Sequence, residues 1–147
     1  MSIDVQTEVL IRRSRAEVAA FMFEPRNDAI WTTGVVDCRP LTEGPLRKGS
    51  RVERISKFLG RQFGYQYEVT AAENESFVQM HVDEPFPMEI RYELETRPEG
   101  TLTRIRAQGD ATGFFRLAAP LMGRMVRRNI TNDLELLKEY LEARAAA

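Results

Sequence analysis

Residues 120–142 read PLMGRMVRRNITNDLELLKEYLE. Met122, Met125, Val126, Asn129, Ile130, Leu134, Leu137 and Leu141, with Ala118 just upstream, recur at helical spacing. Pro120 either kinks this helix or opens its main body as a first-turn residue. Roughly 25 residues at ~1.5 Å each predict a rod of about 38 Å. It is apolar along one side, and no other helical segment is long enough to cover a sheet.

Upstream the period changes from helical to two. Pro98-Glu99-Gly100 turns the chain into a strand from Thr101 to Ala111. Met88, Ile90, Tyr92 and Leu94 alternate with Glu89, Arg91, Glu93 and Glu95. Pro85-Phe86-Pro87 breaks this strand from another over Phe77 to Val82. From Gln62 to Ala71, Phe63, Tyr65, Tyr67 and Val69 share a face, with Gly64 opposite as a place to bend. Gly60-Arg61 reads as a two-residue hairpin turn after a strand from Ser50 to Leu59. That turn sets Phe58 opposite Phe63, Ser56 opposite Tyr65, Arg54 opposite Tyr67 and Val52 opposite Val69. Strands from Val35 to Leu41 and from Ile3 to Ile11 complete the set. Ser14-Arg15-Ala16-Glu17 fits a capping box, with Ser14 and Glu17 each reaching the other's amide. The short helix it opens, through Val18, Phe21 and Met22, stops at Pro25. Asn27 to Trp31 forms a further turn.

Short turns between strands make the sheet antiparallel, and one apolar face per strand means that one side is buried. The expected fold is α+β: a strongly bent antiparallel sheet of about seven strands wrapped around a long C-terminal helix, with one or two short helices after the first strand. A bent sheet closing on one helix leaves a cavity between them, here walled by aromatics and methionines. The 147 residues suit one domain, 1–147. Apolar residues at 43% and charged residues at 29% support a folded core rather than a disordered chain. Basic and acidic residues number 21 and 22, so composition makes no electrostatic case for nucleic acid. No apolar run approaches the ~20 residues of a membrane helix, and integral membrane association is not expected. Met1-Ser2-Ile3-Asp4 does not read as a signal peptide. Cys38 is the only cysteine, so no intrachain disulfide forms. The expectation is a cytoplasmic monomer or homodimer.

The element order and its punctuation resemble the START/Bet v 1-like (SRPBCC) superfamily with its helix-grip fold, most closely its polyketide cyclase/dehydrase-like branch. The carriers are Ser14-Arg15-Ala16-Glu17-Val18, Trp31 at the end of Asn27-Asp28-Ala29-Ile30-Trp31, Gly49, Tyr67-Glu68-Val69-Thr70, Gly100-Thr101 and the ending from Leu134 to Glu142. The resemblance covers nearly the whole chain. It implies binding of apolar small molecules, lipids, sterols or polyketides, in the internal cavity, with only some members being enzymes. None of its carriers is a catalytic signature.

The expected ligand-binding residues are Trp31, Arg54, Ser56, Phe58, Phe63, Tyr65, Tyr67, Met88, Tyr92, Met122 and Met125. Aromatics supply flat area and methionines adapt to shape. Arg54, Ser56 and the tyrosine hydroxyls are the polar groups that would orient a ligand. The plain alternative is that these side chains fill a solid core. A bulge between Arg51 and Ile55 would turn Arg54 outward. His81, the only histidine, reads as a general base or, since Val78, Met80 and Val82 alternate around it, as an outward-facing surface residue. Asp83 and Glu84 read as a solvated loop, and Cys38 as a small buried residue rather than a nucleophile.

No metal-ligand spacing, nucleotide-binding glycine loop or nucleophile elbow occurs, and neither metal nor cofactor is expected. Arg116, Arg124, Arg127 and Arg128 form a basic run with no acid among them. It is a solvated face, or it meets an acidic partner, a membrane surface or an anionic ligand group. Three functional readings follow. The first is a binder of an apolar or aromatic small molecule. The second is a cyclase/dehydratase-type enzyme that folds its substrate and polarises a carbonyl. The third is an interaction module that uses the arginine-rich helix.

Overall fold

The structure, a computed structural model, describes residues 2–58, 60–84, 86–110 and 117–144 and, within these, all side chains but those of Ser2 and Phe58. The strands are β1 (Ser2–Ile11), β2 (Val35–Pro40), β3 (Arg51–Phe58), β4 (Arg61–Glu73), β5 (Phe77–Val82), β6 (Met88–Arg97) and β7 (Gly100–Asp110). The helices are α1 (Arg15–Met22), the single turn α2 (Asp28–Trp31) behind a 3-10 turn at Pro25–Asn27, and α3 (Ala119–Ala143). All strand pairs are antiparallel, in the order β1-β7-β6-β5-β4-β3-β2. The sheet is therefore a meander from β2 to β7, closed by β1 on the far edge. The fold is the expected helix grip.

Pro120 sits in the first turn of α3 and opens it. Met122, Ile130, Leu134, Leu137 and Leu141 are buried along one stripe, while Met125, Val126 and Asn129 are only half-buried. The helix backbone lies closest to β1, with lesser approaches to β7 and α2. Its carboxyl end is tied down. Lys138 Nζ donates to Leu10 O and to Glu142 Oε2, and Glu142 accepts from the Arg12 amide, at 2.8–2.9 Å. Phe21 of α1 stacks on Tyr140, ring centroids 4.6 Å apart.

Ser14 caps α1, its hydroxyl accepting from the Glu17 amide at 3.2 Å. In place of the expected bond to the Ser14 amide, the Glu17 carboxylate accepts from that same hydroxyl at 3.0 Å. Gly100 marks a close approach of backbones. A Cβ there would collide with Ile11 O, where β7 begins beside the end of β1.

The β3–β4 register differs from expectation by two residues. Phe58 faces Arg61, so Arg61 belongs to β4 and not to the turn; Ser56 faces Phe63, Arg54 faces Tyr65 and Val52 faces Tyr67. A slip of two preserves every side chain's face, so the inward set is unchanged. The ladder runs unbroken from Arg51 to Phe58, which keeps Arg54 inside, and it passes Gly64 without interruption. The irregularities lie instead at Val69/Ala71 against β5 and at Val35/Asp37 against β3. Among the described residues no helix is long and apolar enough to cross a membrane.

Candidate functional site

Alternation along β3 buries Val52, Arg54 and Ser56 together. Arg54 is 3% exposed, and a guanidinium so placed needs a counter-charge. The sequence reading did not supply one; the structure supplies Asp28. Asp28 Oδ2 accepts from Arg54 Nε at 3.0 Å and from Nη2 at 2.9 Å. It also accepts from the Tyr67 hydroxyl at 3.1 Å, and the Cys38 thiol stands 3.6 Å away. The Arg54 guanidinium lies 4.6 Å over the centre of the Tyr67 ring. Arg54 also faces the hydroxyls of Tyr92 (from Nη2, 3.4 Å) and Tyr65 (from Nη1, 3.5 Å).

The sequence carried a signal for Asp28. In a one-turn helix Asp28 and Trp31 are three residues apart and share a face, so an inward Trp31 brings Asp28 in with it. Both are buried, and the Trp31 ring lies 5.5 Å from that of Tyr92. Asp133 was likewise missed. It lies three residues after Ile130 and four before Leu137, inside the apolar stripe, and it is buried. Its Oδ1 accepts from the Thr33 amide at 2.6 Å, which links α3 to the residues just after α2.

Burial dominates the electrostatics. It pushes the Asp133 carboxyl up to about 6, against the opposing pull of the Thr33 bonds and of Arg54. Burial, with the Asp28 carboxylate next, lifts Tyr67 well above the usual phenol range; burial also lifts Tyr92, against Arg54. Burial works against the charge on Arg54, but Asp28 and the three tyrosines outweigh it and hold the guanidinium protonated. Burial pushes the Cys38 thiol up to about 12, and it donates to Pro25 O, so it is no nucleophile at neutral pH.

Among the described residues, three buried polar side-chain atoms beside this cluster have no hydrogen-bond partner: Asp28 Oδ1, Trp31 Nε1 and Thr32 Oγ1. The hydroxyls of Tyr65 and Tyr92 accept from Arg54, which leaves their own protons to donate.

Of the expected ligand-binding residues, Trp31, Arg54, Tyr65, Tyr67 and Tyr92 come together here. Phe63 stacks on Tyr65 at 5.6 Å, half-buried like it. Ser56 is buried between Val35 and Phe63 in the ladder. Met122 is buried, and Met88 and Met125 are half-buried, with no polar link to the cluster. The side chain of Phe58 lies outside the described residues, as does Arg116. A groove of about 460 Å³ opens elsewhere, between α1, the loop at Pro45–Arg47 and the turn after β4. Its walls include Ala19, Phe23, Leu46 and Val78 and none of the expected ligand residues.

His81 lies on the opposite face of the sheet. Its Nδ1 meets Glu89 Oε1 at 2.6 Å and its Nε2 meets Asp83 Oδ1 at 2.9 Å. Asp83 is thus an anchor for the ring as well as a loop residue. The two bonds, Asp83 first, hold the imidazole above its ordinary value. Among the described residues no group of three or more His, Cys, Asp or Glu side chains is placed to hold a metal.

The sequence matches, over residues 2–142, the family described as polyketide cyclase / dehydrase and lipid transport. No curated protein matches. Among solved structures, a protein of Thermus thermophilus is similar with a TM-score of 0.81 at 16% identity, covering 97% of this chain and 99% of that one. The di-domain ARO/CYC StfQ from the steffimycin biosynthetic pathway is similar with a TM-score of 0.80 at 11% identity, covering 100% of this chain and 53% of that one. A START superfamily protein from Mycobacterium smegmatis is similar with a TM-score of 0.77 at 12% identity, covering 95% and 97%. At these identities the structural likeness speaks for the fold alone. The near-complete family match means that this chain belongs to the polyketide cyclase / dehydrase and lipid transport family.

Proposed function

We propose that the chain binds a flat, largely apolar small molecule that carries a hydrogen-bond-accepting oxygen, between the inner face of the sheet and α3. The observation that carries this reading is the arrangement around Arg54. Its bonds to Asp28 are short, those to Tyr65 and Tyr92 are long, and among the described residues neither hydroxyl donates its proton. Neutral phenols polarised by a fixed cation are donors, so they select an acceptor such as a carbonyl. Half-buried Phe63, Tyr65, Met88 and Ile90 supply apolar walls on the same face of the sheet. Burying ~200 Å² of ligand yields about 5 kcal/mol before ordering costs, which leaves micromolar affinity dependent on these polar contacts. The family's description, cyclase/dehydrase and lipid transport, accords with ligands of this kind.

A second reading, a cyclase/dehydratase-type enzyme, is favoured by one specific feature. Asp133, with its carboxyl pushed up to about 6, is a group able to take and return a proton near neutral pH, within the electrostatic reach of Arg54. A carbonyl held by Tyr65, Tyr92 and Arg54 would be polarised for loss of an α-proton to Asp133. Incubation with a poly-β-ketone thioester, followed by absorbance of any aromatic product, tests this; turnover that survives Asp133→Asn removes Asp133 from the role.

For the binding reading, native mass spectrometry of the purified chain looks for a co-purified small molecule. Titration with 9-fluorenone and with fluorene then compares the same flat area with and without a carbonyl. Fluorenone is expected to bind several-fold more tightly, and Tyr65→Phe or Tyr92→Phe to remove about 2–10-fold of that preference, the worth of one hydrogen bond. Equal affinity for the two probes, or a preference untouched by both variants, overturns the reading.

A further inference from the structure

The amino-terminal end of α3 is built unlike the rest of the surface. Leu117, just before the helix cap, is 94% exposed, and Leu121 is 59% exposed. Arg124, Arg127 and Arg128 follow within two turns, all exposed. Among the described residues none of the three makes an ion pair; Arg127 only donates to the Gln6 carbonyl at 3.4 Å. From Leu117 to Asn132 the helix carries no acid, and the first one, Asp133, is buried. The acids of neighbouring β1 do not neutralise the patch. Asp4 is bonded to Arg106 at 2.8 Å and Glu8 faces Arg104 at 3.7 Å, on the outer face of the sheet.

Leu121, Arg124 and Arg128 lie on one side of α3, at spacings of three and four. Arg124 stands ~4.5 Å and Arg128 ~10 Å along the axis from Leu121. A helix entering an interface by this end would sink its leucines about 5–10 Å and hold its arginines at the level of the phosphates. The leucines stand in solvent, so they suit a fluid apolar medium that needs no matching pocket. The chain as a whole is slightly acidic, at −1, so net charge supplies no general attraction to an anionic surface.

We propose that Leu117, Leu121, Arg124, Arg127 and Arg128 form a docking surface for an anionic lipid bilayer. Binding is peripheral: apolar insertion and phosphate pairing act together, and neither suffices alone.

The test is co-sedimentation with vesicles of phosphatidylcholine alone and of phosphatidylcholine with one quarter phosphatidylglycerol, at low and high salt. The chain is expected to pellet with the anionic vesicles only, and less at high salt. Arg124→Gln with Arg128→Gln should weaken binding roughly thirtyfold, from the loss of two charges near the surface. Leu117→Ser with Leu121→Ser should weaken it at least about tenfold. Arg127 is left in place because it touches β1. These positions are exposed, so unchanged thermal midpoints and unchanged fluorenone titrations show that fold and interior are intact. Failure to pellet with anionic vesicles overturns the proposal, as does binding that the arginine variant leaves unaltered. If the leucine variant binds vesicles fully and a single-stranded RNA or polyglutamate competes for the site, the patch is a general polyanion surface and the bilayer assignment is wrong.

Discussion

Around Leu134, Leu137 and Leu141, α3 meets β1 and α1 through hydrocarbon, and Lys138, Glu142 and Arg12 close the polar bonds at its edge. Around Asp133, one turn before Leu137, the interior instead holds an arginine, two carboxylates and three tyrosine hydroxyls. Among the described residues, three buried polar atoms are left without partners there. The two regions share one apolar cluster and one helix, so the difference lies in side-chain chemistry and not in topology. The first region is built for stability. In the second, burial is spent on fixed charges and dipoles that hydrocarbon of the same volume could replace at little cost or at a gain. Natural sequences depart from the most stable packing mainly where a site is needed.

The sharpest way to break this contrast is to remove one partner of the buried pair. Asp28→Asn leaves Arg54 without a counter-charge, and Arg54→Met leaves Asp28 with only the Tyr67 hydroxyl and the Cys38 thiol. Each single variant is expected to lose about 3–5 kcal/mol in urea unfolding, and the double variant much less than the sum. Additive losses would mean that the two groups are not an energetic pair. A smaller contrast separates the two stretches of α3. Leu137→Ala, at a site 0% exposed, should cost about 2–5 kcal/mol, and Met125→Ala, half-buried, under about 1 kcal/mol. Equal losses would show Met125 to be packed as tightly as Leu137 and would leave no contrast between the two stretches.

The hydrocarbon region was legible in the sequence almost residue by residue. The strand alternation and the stripe from Ile130 to Leu141 state which side chains turn inward, because burial follows period. The polar region was legible in half. Arg54, Tyr65, Tyr67 and Tyr92 follow from the same alternation, and a two-residue error in the β3–β4 register did not disturb them. Asp28 and Asp133 are not singled out by the alternation, because nothing in the sequence marks a carboxylate on an inward face as paired. Both lie on faces already assigned to the interior, Asp28 beside Trp31 and Asp133 between Ile130 and Leu137. A buried arginine on β3 requires a carboxylate from somewhere, and the one supplied comes from 26 residues away, a pairing that only the folded chain makes explicit.

The effect that depends on pH belongs to Asp133, and it carries a sign. Its folded carboxyl stands at about 6 against an ordinary 3.8, so the folded chain holds the proton more tightly than the unfolded one. Below about pH 4 both states are protonated and the group contributes no penalty. As pH rises from about 4 to 6 the unfolded chain releases the proton first, and stability falls by about 1.4 kcal/mol for each tenfold difference in proton affinity. Above about 6 the full penalty, on the order of 3 kcal/mol, persists. Asp133→Asn keeps a carbonyl oxygen for the Thr33 amide and removes the titration. The variant is expected to be more stable than the parent chain at pH 7 and indistinguishable from it near pH 3.5, by urea unfolding across that range. A variant less stable at pH 7 would show that Asp133 is held charged by Arg54, and the two carboxylates of this region would then serve the same cation.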